Sequence, residues 1–485
     1  MQHRPGLAAI VMGAMTLGGC TLEPEYVRPD APVRAPESNV APGIRADDLG
    51  WRAFFPDPQL QQLIVLALAN NRDLRVAALN VETAQARYRI QRADLLPTIA
   101  AGATEQSERI PASVVAASLP AGSPSVQSAV VSRYYTAGIA FTSFELDLFG
   151  RIRSLGHSAL QEYFSLEETR RSAQITLVAE VANAYLNVLS DQTLIDITRE
   201  TLRNQEESYA VTQTMFQGGA TTELALRQAE STVDAAKANL AQYERQFVED
   251  RDALQFVLGA PIPANIEFSG GLDRNPIVSE LEMNVPSGVL VQRPDVLAAE
   301  HRLQAANANI GAARAAFLPT ISLTGNFGTA SAQLSGLFEH DSEAWTFAPT
   351  IGVPIFAGGA NIANLRVAKL TRDTAVAQYE KAIQTAFREV ADTLAARGTL
   401  DEQWAAQQAL VTASRDAYHL ADMRFRGGVD GYLSALDAQR SLYGAEQQFE
   451  LVRLLRLENR VTLYKALGGG LQEETATVAP APGAG

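Results

Sequence analysis

The sequence predicts an α+β chain that is mainly helical and carries one structural repeat twice. Two proline-free stretches, 151–216 and 361–425, are rich in Ala, Leu, Glu, Gln and Arg, and they predict very long helices. Segments that alternate large apolar with small polar residues precede each stretch and predict strands. No Pro/Ser-rich or charged linker divides the interior, so we interpret the 485 residues as one elongated unit.

The duplication is clearest in "FQGGATTELALRQAES" (216–231) and "FRGGVDGYLSALDAQR" (425–440). A second pair of landmarks is "DLLPTI" (94–99) and "AFLPTI" (316–321). Self-similarity over such long stretches indicates two copies of one supersecondary unit.

The two copies, together with the composition of the two ends of the chain, predict six segments. The segments are a signal peptide at 1–19, a lipid-anchored extended leader at 20–58, a first repeat at 59–259, an equatorial connector at 260–290, a second repeat at 291–468 and a disordered tail at 469–485. Within the repeats we expect β-hairpins at 98–149 and 320–357, and long helical hairpins with tips near 216–222 and 425–431.

The N-terminus carries an export signal, because Arg4 precedes a short apolar run that is too brief to span a membrane. It ends in "LGGC", which resembles the bacterial lipobox and implies cleavage before Cys20 and acylation of that cysteine, palmitate included. By the same resemblance Thr21 favours sorting to the outer membrane. A signal that happens to end at an unmodified cysteine is the alternative. Since Cys20 is the only cysteine, its acylation leaves no disulfide, and the covalent lipid is the only cofactor we expect.

Each repeat is expected to begin with a helix that ends at Pro97 or Pro319, because the proline ring stops helix propagation. These prolines mark the helix–strand junctions. The long helices that follow the strands would each reach roughly 97 to 99 Å at about 1.5 Å per residue.

Double glycines are expected to end the long helices. The four are Gly218, Gly219, Gly427 and Gly428, of which Gly218 and Gly427 or their neighbours are expected to take the left-handed conformation. Thr222 and Asp430 are the expected caps of the return helices.

The return helices are too short to match the long ones. We therefore expect the pre-hairpin helices, 73–96 and 295–318, to continue them end to end. Residues 51–58, residues 260–288 and the C-terminal tail are expected to gather at this joint.

The strand segments determine the environment that we predict. In "AWTFAPTIGVPIF" (344–356) the large apolar residues occupy alternate positions, which is the pattern of a barrel wall. We expect four aromatic residues at the membrane interface: Tyr134, Tyr135, Trp345 and Phe347. A soluble two-sheet sandwich alternates equally well and is the alternative.

Four membrane strands have open edges, which hydrocarbon does not tolerate, so closure requires further copies of the chain. Two copies would give eight strands and a barrel filled by side chains, whereas three would give twelve strands and a lumen.

Composition and spacing argue against several other functions. The net charge of −14 argues against nucleic-acid binding. The five histidines are scattered, no H-E-x-x-H or P-loop motif occurs, and the only thiol is the one expected to carry lipid. We therefore expect no catalytic residues, no metal site and no enzymatic activity.

Several longer stretches together resemble the TolC-like outer membrane factor family. They are "ALANNRDLRVAALNVETAQARYRIQRADLLPTI", "QRPDVLAAEHRLQAANANIGAARAAFLPTISLTGNFG", "TIGVPIFAGG" and "RFRGGVDGYLSALDAQRSLY". The lipobox makes the chain most similar to the lipoprotein branch, with its OprM-like and NodT-like efflux proteins. The resemblance covers essentially the whole mature chain.

This resemblance implies a homotrimer with a twelve-stranded barrel in the outer membrane and a helical barrel across the periplasm. It also implies docking to a periplasmic adaptor and to an inner-membrane transporter, most often of the RND type. The double-glycine tips would then face the adaptor, and cargo selectivity would belong to the pump.

The resemblance further implies a periplasmic gate in the second repeat. Leu433 would form a hydrophobic constriction, and Asp437 and Arg440 would hold the closed state. The alternative is that Asp437 and Arg440 form an ordinary surface ion pair. The first repeat has Gln228 and Ser231 at the aligned positions, so only the second repeat keeps charges there.

Other functions remain as alternatives at this point. A type I secretion exit duct would have the same fold. A periplasmic adaptor lipoprotein would also have a lipid anchor and a long helical hairpin, but it would need only one hairpin and no alternating aromatic-rich strands.

Overall fold

The computed structural model of the protein describes residues 21–33, 48–118, 120, 128–274, 276–278 and 291–475. The predicted signal peptide and Cys20 lie outside these residues. The described residues form the helices α1 (Trp51–Phe54), α2 (Pro58–Asn70), α3 (Arg72–Ala93), α4 (Ala112–Ser118), α5 (Arg151–Gln217), α6 (Glu223–Leu258), α7 (Pro294–Ala315), α8 (Ala360–Arg426) and α9 (Tyr432–Ala466). They also form the strands β1 (Ile99–Ile110), β2 (Val130–Leu146), β3 (Thr320–Ser331) and β4 (Glu343–Gly352).

The chain folds as two compact units. The sheet unit comprises the described residues within 1–28, 83–163 and 301–376. The hairpin unit comprises those within 29–82, 164–300 and 377–485. Both repeats contribute to both units, as expected for a duplicated chain.

All four strands of the sheet unit form one antiparallel sheet in the order β1-β2-β3-β4. The two β-hairpins join through β2 and β3, where Ile139 pairs with Phe327. Within the described part of the chain, β1 and β4 each have a single neighbouring strand. Their outer edges therefore present backbone groups that no described strand pairs.

Strand β1 has 12 residues, although large apolar and small polar residues alternate only weakly in its sequence. Its whole length pairs with β2, from Ile99 opposite Phe141 to Ile110 opposite Val130. The formation of β1 therefore depends mainly on hydrogen bonding to β2 and only weakly on its own residue pattern.

A bulge interrupts β2 between Phe141 and Phe144. Ser143 has a positive φ of 53°, and its backbone N–H donates to Oγ1 of Thr324 over 3.2 Å. Because the bulge inserts one residue, Phe144 and Leu146 lie on the same face of the sheet as Phe141.

The core of the hairpin unit packs around aromatic residues in and next to α1. Phe54 stacks on Tyr464 with ring centroids 4.0 Å apart, and the hydroxyl of Tyr464 donates to the carbonyl of Leu49 over 2.6 Å. Asp57 caps α2 and accepts a hydrogen bond from the buried hydroxyl of Tyr185 over 2.8 Å. Burial of such large apolar side chains is the main source of stability here.

The predicted extended leader at 20–58 is therefore wrong for its last ten residues. Leu49, Trp51, Phe54 and Phe55 are buried, and Trp51–Phe54 forms a helix. The short run "WRAFF" carries enough aromatic surface to join the core despite the proline-rich sequence before it.

The predicted disordered tail at 469–485 is wrong for its first seven residues. The carbonyls of Gln472 and Glu473 accept hydrogen bonds from the backbone N–H groups of Trp51 and Arg52, over 2.9 and 3.2 Å. The carboxylate of Glu473 also binds the Arg52 guanidinium. The partner of the tail lies more than 400 positions earlier in the chain, and residues 476–485 lie outside the described part.

The return helices meet the pre-hairpin helices end to end, as the sequence predicts. At the end of α6, the carbonyl of Val257 accepts from Nδ2 of Asn71, which precedes α3, over 2.8 Å. At the end of α9, the carbonyl of Ala466 accepts from Nη1 of Arg293, which precedes α7, over 2.9 Å. The same joint thus occurs once in each repeat.

Candidate functional site

The two hairpin tips have the same backbone geometry. In the first, Gly219 has a φ of +74°, and the N–H of Ala220 donates to the carbonyl of Met215 over 2.8 Å. In the second, Gly428 has a φ of +70°, and the N–H of Val429 donates to the carbonyl of Arg424 over 2.9 Å. Both are Schellman motifs that satisfy the last carbonyls of the long helices.

The left-handed residue is the second glycine of each pair. Gly218 and Gly427 do not have a positive φ. A side chain at Gly218 would make only ordinary contacts, whereas one at Gly427 would lie 3.2 Å from the carbonyl oxygen of Met423. Gly219 and Gly428 are therefore the positions where the turn itself requires glycine.

The caps of the return helices differ between the tips. Thr222 caps α6 as predicted, accepting from the N–H of Ala225 over 3.2 Å. The cap predicted at Asp430 is wrong, because Gly431 holds that position without a side-chain bond. Asp430 instead binds the guanidinium of Arg424 through two hydrogen bonds, which hold the pKa of its carboxyl below the ordinary value.

The predicted gate residues share one exposed face of α9. Leu433 is 55% exposed, and Asp437 and Arg440 are exposed as well. Spacing of four and three residues along a helix places them on the same side. Neither charged side chain makes an ion pair or side-chain hydrogen bond within the described residues. The alternative of an ordinary Asp437–Arg440 surface pair is therefore wrong for the single chain.

Positions of α9 that adjoin this exposed face pack on the first hairpin. Tyr432 and Leu436 are buried against Ala229 of α6. Phe425, at the end of α8, meets Tyr432 edge to face with ring centroids 5.4 Å apart. This packing leaves Leu433, Asp437 and Arg440 exposed beside the contact. The sequence reasoning missed this aromatic pair, although both residues flank the glycine turn.

The hairpin unit also contains two buried carboxyl groups that no sequence motif indicates. Burial, reinforced by Asp250, raises the pKa of Asp191 to about 8. Burial raises the pKa of Glu450 to about 7, opposed by Arg453. Each group belongs to a helix whose hydrophobic pattern does not distinguish a buried acid from an exposed one.

One face of the sheet is apolar and exposed. Its members alternate along the strands and are Ile99, Ile139, Phe141, Phe327, Trp345 and Phe347. Trp345 is 71% exposed. An exposed apolar surface of this kind indicates contact with lipid or with another protein.

The other face of the sheet is polar and carries small residues. Thr104 and Thr136 hydrogen-bond across β1 and β2 over 2.6 Å. Tyr134 lies on this face with them, because it precedes Tyr135 by one residue and neighbouring side chains point to opposite faces. The four aromatic residues predicted for the membrane interface therefore do not share one face, and Tyr134 is the exception.

Both predicted junction prolines lie between a helix and a strand. Pro97 lies between α3 and β1, and Pro319 lies between α7 and β3. Just before each proline the last helical turn tightens, with Leu96 N–H donating to the carbonyl of Ala93 and Leu318 N–H to that of Ala315, each over 2.9 Å.

The described residues include no cluster of three or more side chains able to hold a metal ion. In the same part of the chain, no helix has the length and apolar character needed to cross a bilayer.

Comparison with known proteins identifies the family. The sequence pattern of outer membrane efflux proteins matches residues 63–260 and 285–469, which cover both repeats. The chain belongs to the outer membrane efflux protein family.

Relatives within this family align over nearly the full length. The chain is 46% identical to the toluene efflux pump outer membrane protein TtgC of Pseudomonas putida over 476 residues, which are 97% of this chain and 96% of TtgC. It is 44% identical to the outer membrane protein OprJ of Pseudomonas aeruginosa, over 98% of this chain and 97% of OprJ.

Solved structures of two bacterial membrane proteins share the fold. The open state of the MtrE outer membrane channel of Neisseria gonorrhoeae superposes with a TM-score of 0.86 at 41% identity, covering 94% of this chain and all of MtrE. A membrane protein of Pseudomonas aeruginosa gives a TM-score of 0.85 at 44% identity, covering 92% of this chain and all of that chain. The predicted fold class is confirmed, and the protein is an outer membrane efflux channel.

Proposed function

We propose that three copies of the chain form the exit duct of a tripartite efflux system of the RND type, with a periplasmic adaptor and an inner-membrane transporter as partners. The observation that carries this proposal is the four-stranded sheet, which has an exposed apolar face and two outer edges that no strand of the described chain covers. A lipid environment requires those edges to pair, since each unpaired backbone group costs several kcal/mol there.

Closure by three copies accounts for both faces of the sheet. Twelve strands enclose a lumen, whereas eight would be filled by their own side chains. The apolar row with Phe327 and Trp345 would face lipid, and the polar face with Thr104 and Thr136 would face water. The names of the relatives, which are efflux pump outer membrane proteins, support the same assignment.

The lipid anchor would be an acyl group on Cys20, and it would hold the chain in the outer membrane together with the barrel. The partners would meet the duct at the tips, where Gly218, Gly219, Gly427 and Gly428 allow the tight turns. Six tips per trimer would face the adaptor.

The gate would close where the exposed face of α9 meets its symmetry mates. Leu433 would narrow the opening, and Asp437 and Arg440 would find their ionic or polar partners on neighbouring chains. Their lack of partners within the described residues of one chain supports this role. A partner protein that binds the open state more tightly would open the duct, because a ligand shifts an equilibrium only by its differential affinity.

The protein would catalyse no reaction and would act as a passive channel. The proposal is tested by reconstituting the purified trimer in a planar bilayer. We expect small conductance from the duct alone and a rise when its periplasmic adaptor is added on the side of the hairpin tips. Absence of conductance under both conditions would contradict the channel function, and a large conductance without the adaptor would contradict the closed gate.

A further inference from the structure

A short segment that follows the predicted lipidation cysteine is bound to the sheet unit. The carbonyl of Leu22 accepts a hydrogen bond from Nη1 of Arg314 over 3.0 Å, and the carbonyl of Pro24 accepts from Nδ2 of Asn307 over 2.8 Å. Both donors lie on α7. Both hydrogen bonds use backbone carbonyls of the segment, so they do not depend on the identity of its side chains.

Between these two donors, α7 has a gap into which the segment fits. Gly311 lies four residues after Asn307 and three before Arg314, so the three positions form one stripe along the helix. A methyl group added to Gly311 would lie 2.6 Å from Cγ of Glu23 and 2.9 Å from its backbone nitrogen. The segment therefore lies in space that only glycine leaves open.

The side chain of Glu23 extends the contact to α5. Its Oε2 accepts a hydrogen bond from Nδ1 of His157 over 2.9 Å. The other ring nitrogen of His157 lies 3.1 Å from Nε2 of Gln161, whose Oε1 accepts from Nδ1 of His301 on α7 over 2.8 Å. This chain of hydrogen bonds fixes the segment between the two helices.

The first repeat keeps an arginine at the position of Arg314 but lacks the asparagine and the glycine. Counting from Pro97 and Pro319, which differ by 222, the equivalents of Asn307, Gly311 and Arg314 are Gln85, Arg89 and Arg92. An arginine at the glycine position would fill the gap. The stripe is therefore a property of the second repeat, and the shared repeat fold does not require it.

We propose that Asn307, Gly311 and Arg314 form a seat for residues 22–24, which fixes the lipid attachment point at the base of the sheet. Cys20 precedes Leu22 by two residues, so at most about 7 Å of extended chain separates them. Arg314 precedes the first residue of β3 by six residues. The acyl chains and the apolar face of the sheet would then enter the membrane at the same level. This role, unlike the docking itself, rests on the proposed acylation of Cys20.

The seat is tested in the full-length protein, purified from outer membranes, with a nitroxide on Glu25→Cys. Glu25 is exposed, and an acylated Cys20 leaves the new thiol as the only one that can be labelled. We expect an immobilised spectrum for the parent and a mobile one for Gly311→Ala. Gly156→Ala is the matched control, because a methyl group there meets nothing within 4 Å. Equal spectra for Gly311→Ala and Gly156→Ala would overturn the seat.

Two further measurements keep the outcome decisive. If Gly311→Ala fails to assemble, Asn307→Ala and Arg314→Ala remove only the donors, and immobile spectra in both would overturn the seat. The labelling ratio tests the anchor separately. One nitroxide per chain is expected. Two nitroxides per chain would show that Cys20 is not acylated, and this result would remove the anchoring role. The comparison of nitroxide mobility would still decide whether residues 22–24 dock on α7.

Discussion

Asp437 and Arg440 lie three residues apart on one exposed face of α9, and neither binds the other. Neither side chain has an ion-pair or side-chain hydrogen-bond partner among the described residues. In the proposed trimer this face points to the axis, where three copies of each side chain would meet. The closed state would then depend on contacts between chains, which a partner protein can break.

The first prediction concerns these gate contacts. Asp437→Ala and Arg440→Ala should each raise the single-channel conductance of the isolated trimer severalfold, because each removes a contact of the closed state. Gln228→Ala and Ser231→Ala, at the aligned positions of the first repeat, are the controls and should change nothing. Unchanged conductance in both gate variants would remove them from the gate.

The second prediction concerns the left-handed glycines. Gly219→Ala and Gly428→Ala should each destabilise their tip by about 1–2 kcal/mol, the cost of the left-handed conformation for other residues. Hydrogen exchange of tip peptides, followed by mass spectrometry, should show faster exchange in both variants. Gly218→Ala should exchange like the parent, since its side chain makes only ordinary contacts. Slower exchange in Gly428→Ala would contradict the assigned turn geometry.

The third prediction concerns the buried carboxyl of Asp191, whose pKa is raised from 3.8 to about 8. Because the folded state holds this proton more tightly than the unfolded state, the contribution to stability is present below the unfolded pKa and is lost as the pH rises from about 4 to about 8. Melting of the trimer should therefore occur at lower temperature at about pH 8.5 than at about pH 5.5.

Asp191→Asn keeps the size of the side chain but removes the titratable carboxyl group. The melting temperatures at the two pH values should therefore differ less in this variant than in the parent. Asp196→Asn is the control, because Asp196 is exposed on the same helix. A pH dependence equal in the parent and in Asp191→Asn would show that other groups cause it.

The fourth prediction concerns the apolar face of the sheet. The chain has three tryptophans, of which Trp345 lies exposed on this face and Trp51 is buried in the hairpin unit. In liposomes, a brominated lipid should quench part of the fluorescence, and Trp345→Phe should abolish that part. Trp404→Phe should leave it intact. Quenching that persists in Trp345→Phe would show that the lipid-facing surface lies elsewhere.

Much of this fold follows from local sequence. The long helices, the prolines at the junctions and the paired glycines are determined by residues close in the chain, so patterns and turn chemistry predict them. The cap at Thr222 follows from the same kind of information.

The errors arose where a hydrogen-bond or packing partner that the local pattern does not reveal decides the structure. Asp430 has the chemistry of a cap, but Arg424 lies across the turn and binds its carboxylate. Gln472 and Glu473 have a disordered composition, yet Trp51 and Arg52 provide hydrogen-bond donors for their carbonyls. Similarly, residues 22–24 contain no motif, and the gap at Gly311 with its flanking donors Asn307 and Arg314 accounts for their position.

The central claim is that the outer edges of β1 and β4 pair with other copies of the chain. The most direct test is the mass of the purified, detergent-solubilised protein by light scattering with the detergent contribution subtracted. We predict a protein mass of three chains that persists on dilution. A mass of one chain, for protein that remains in solution after the detergent is removed, would contradict the account.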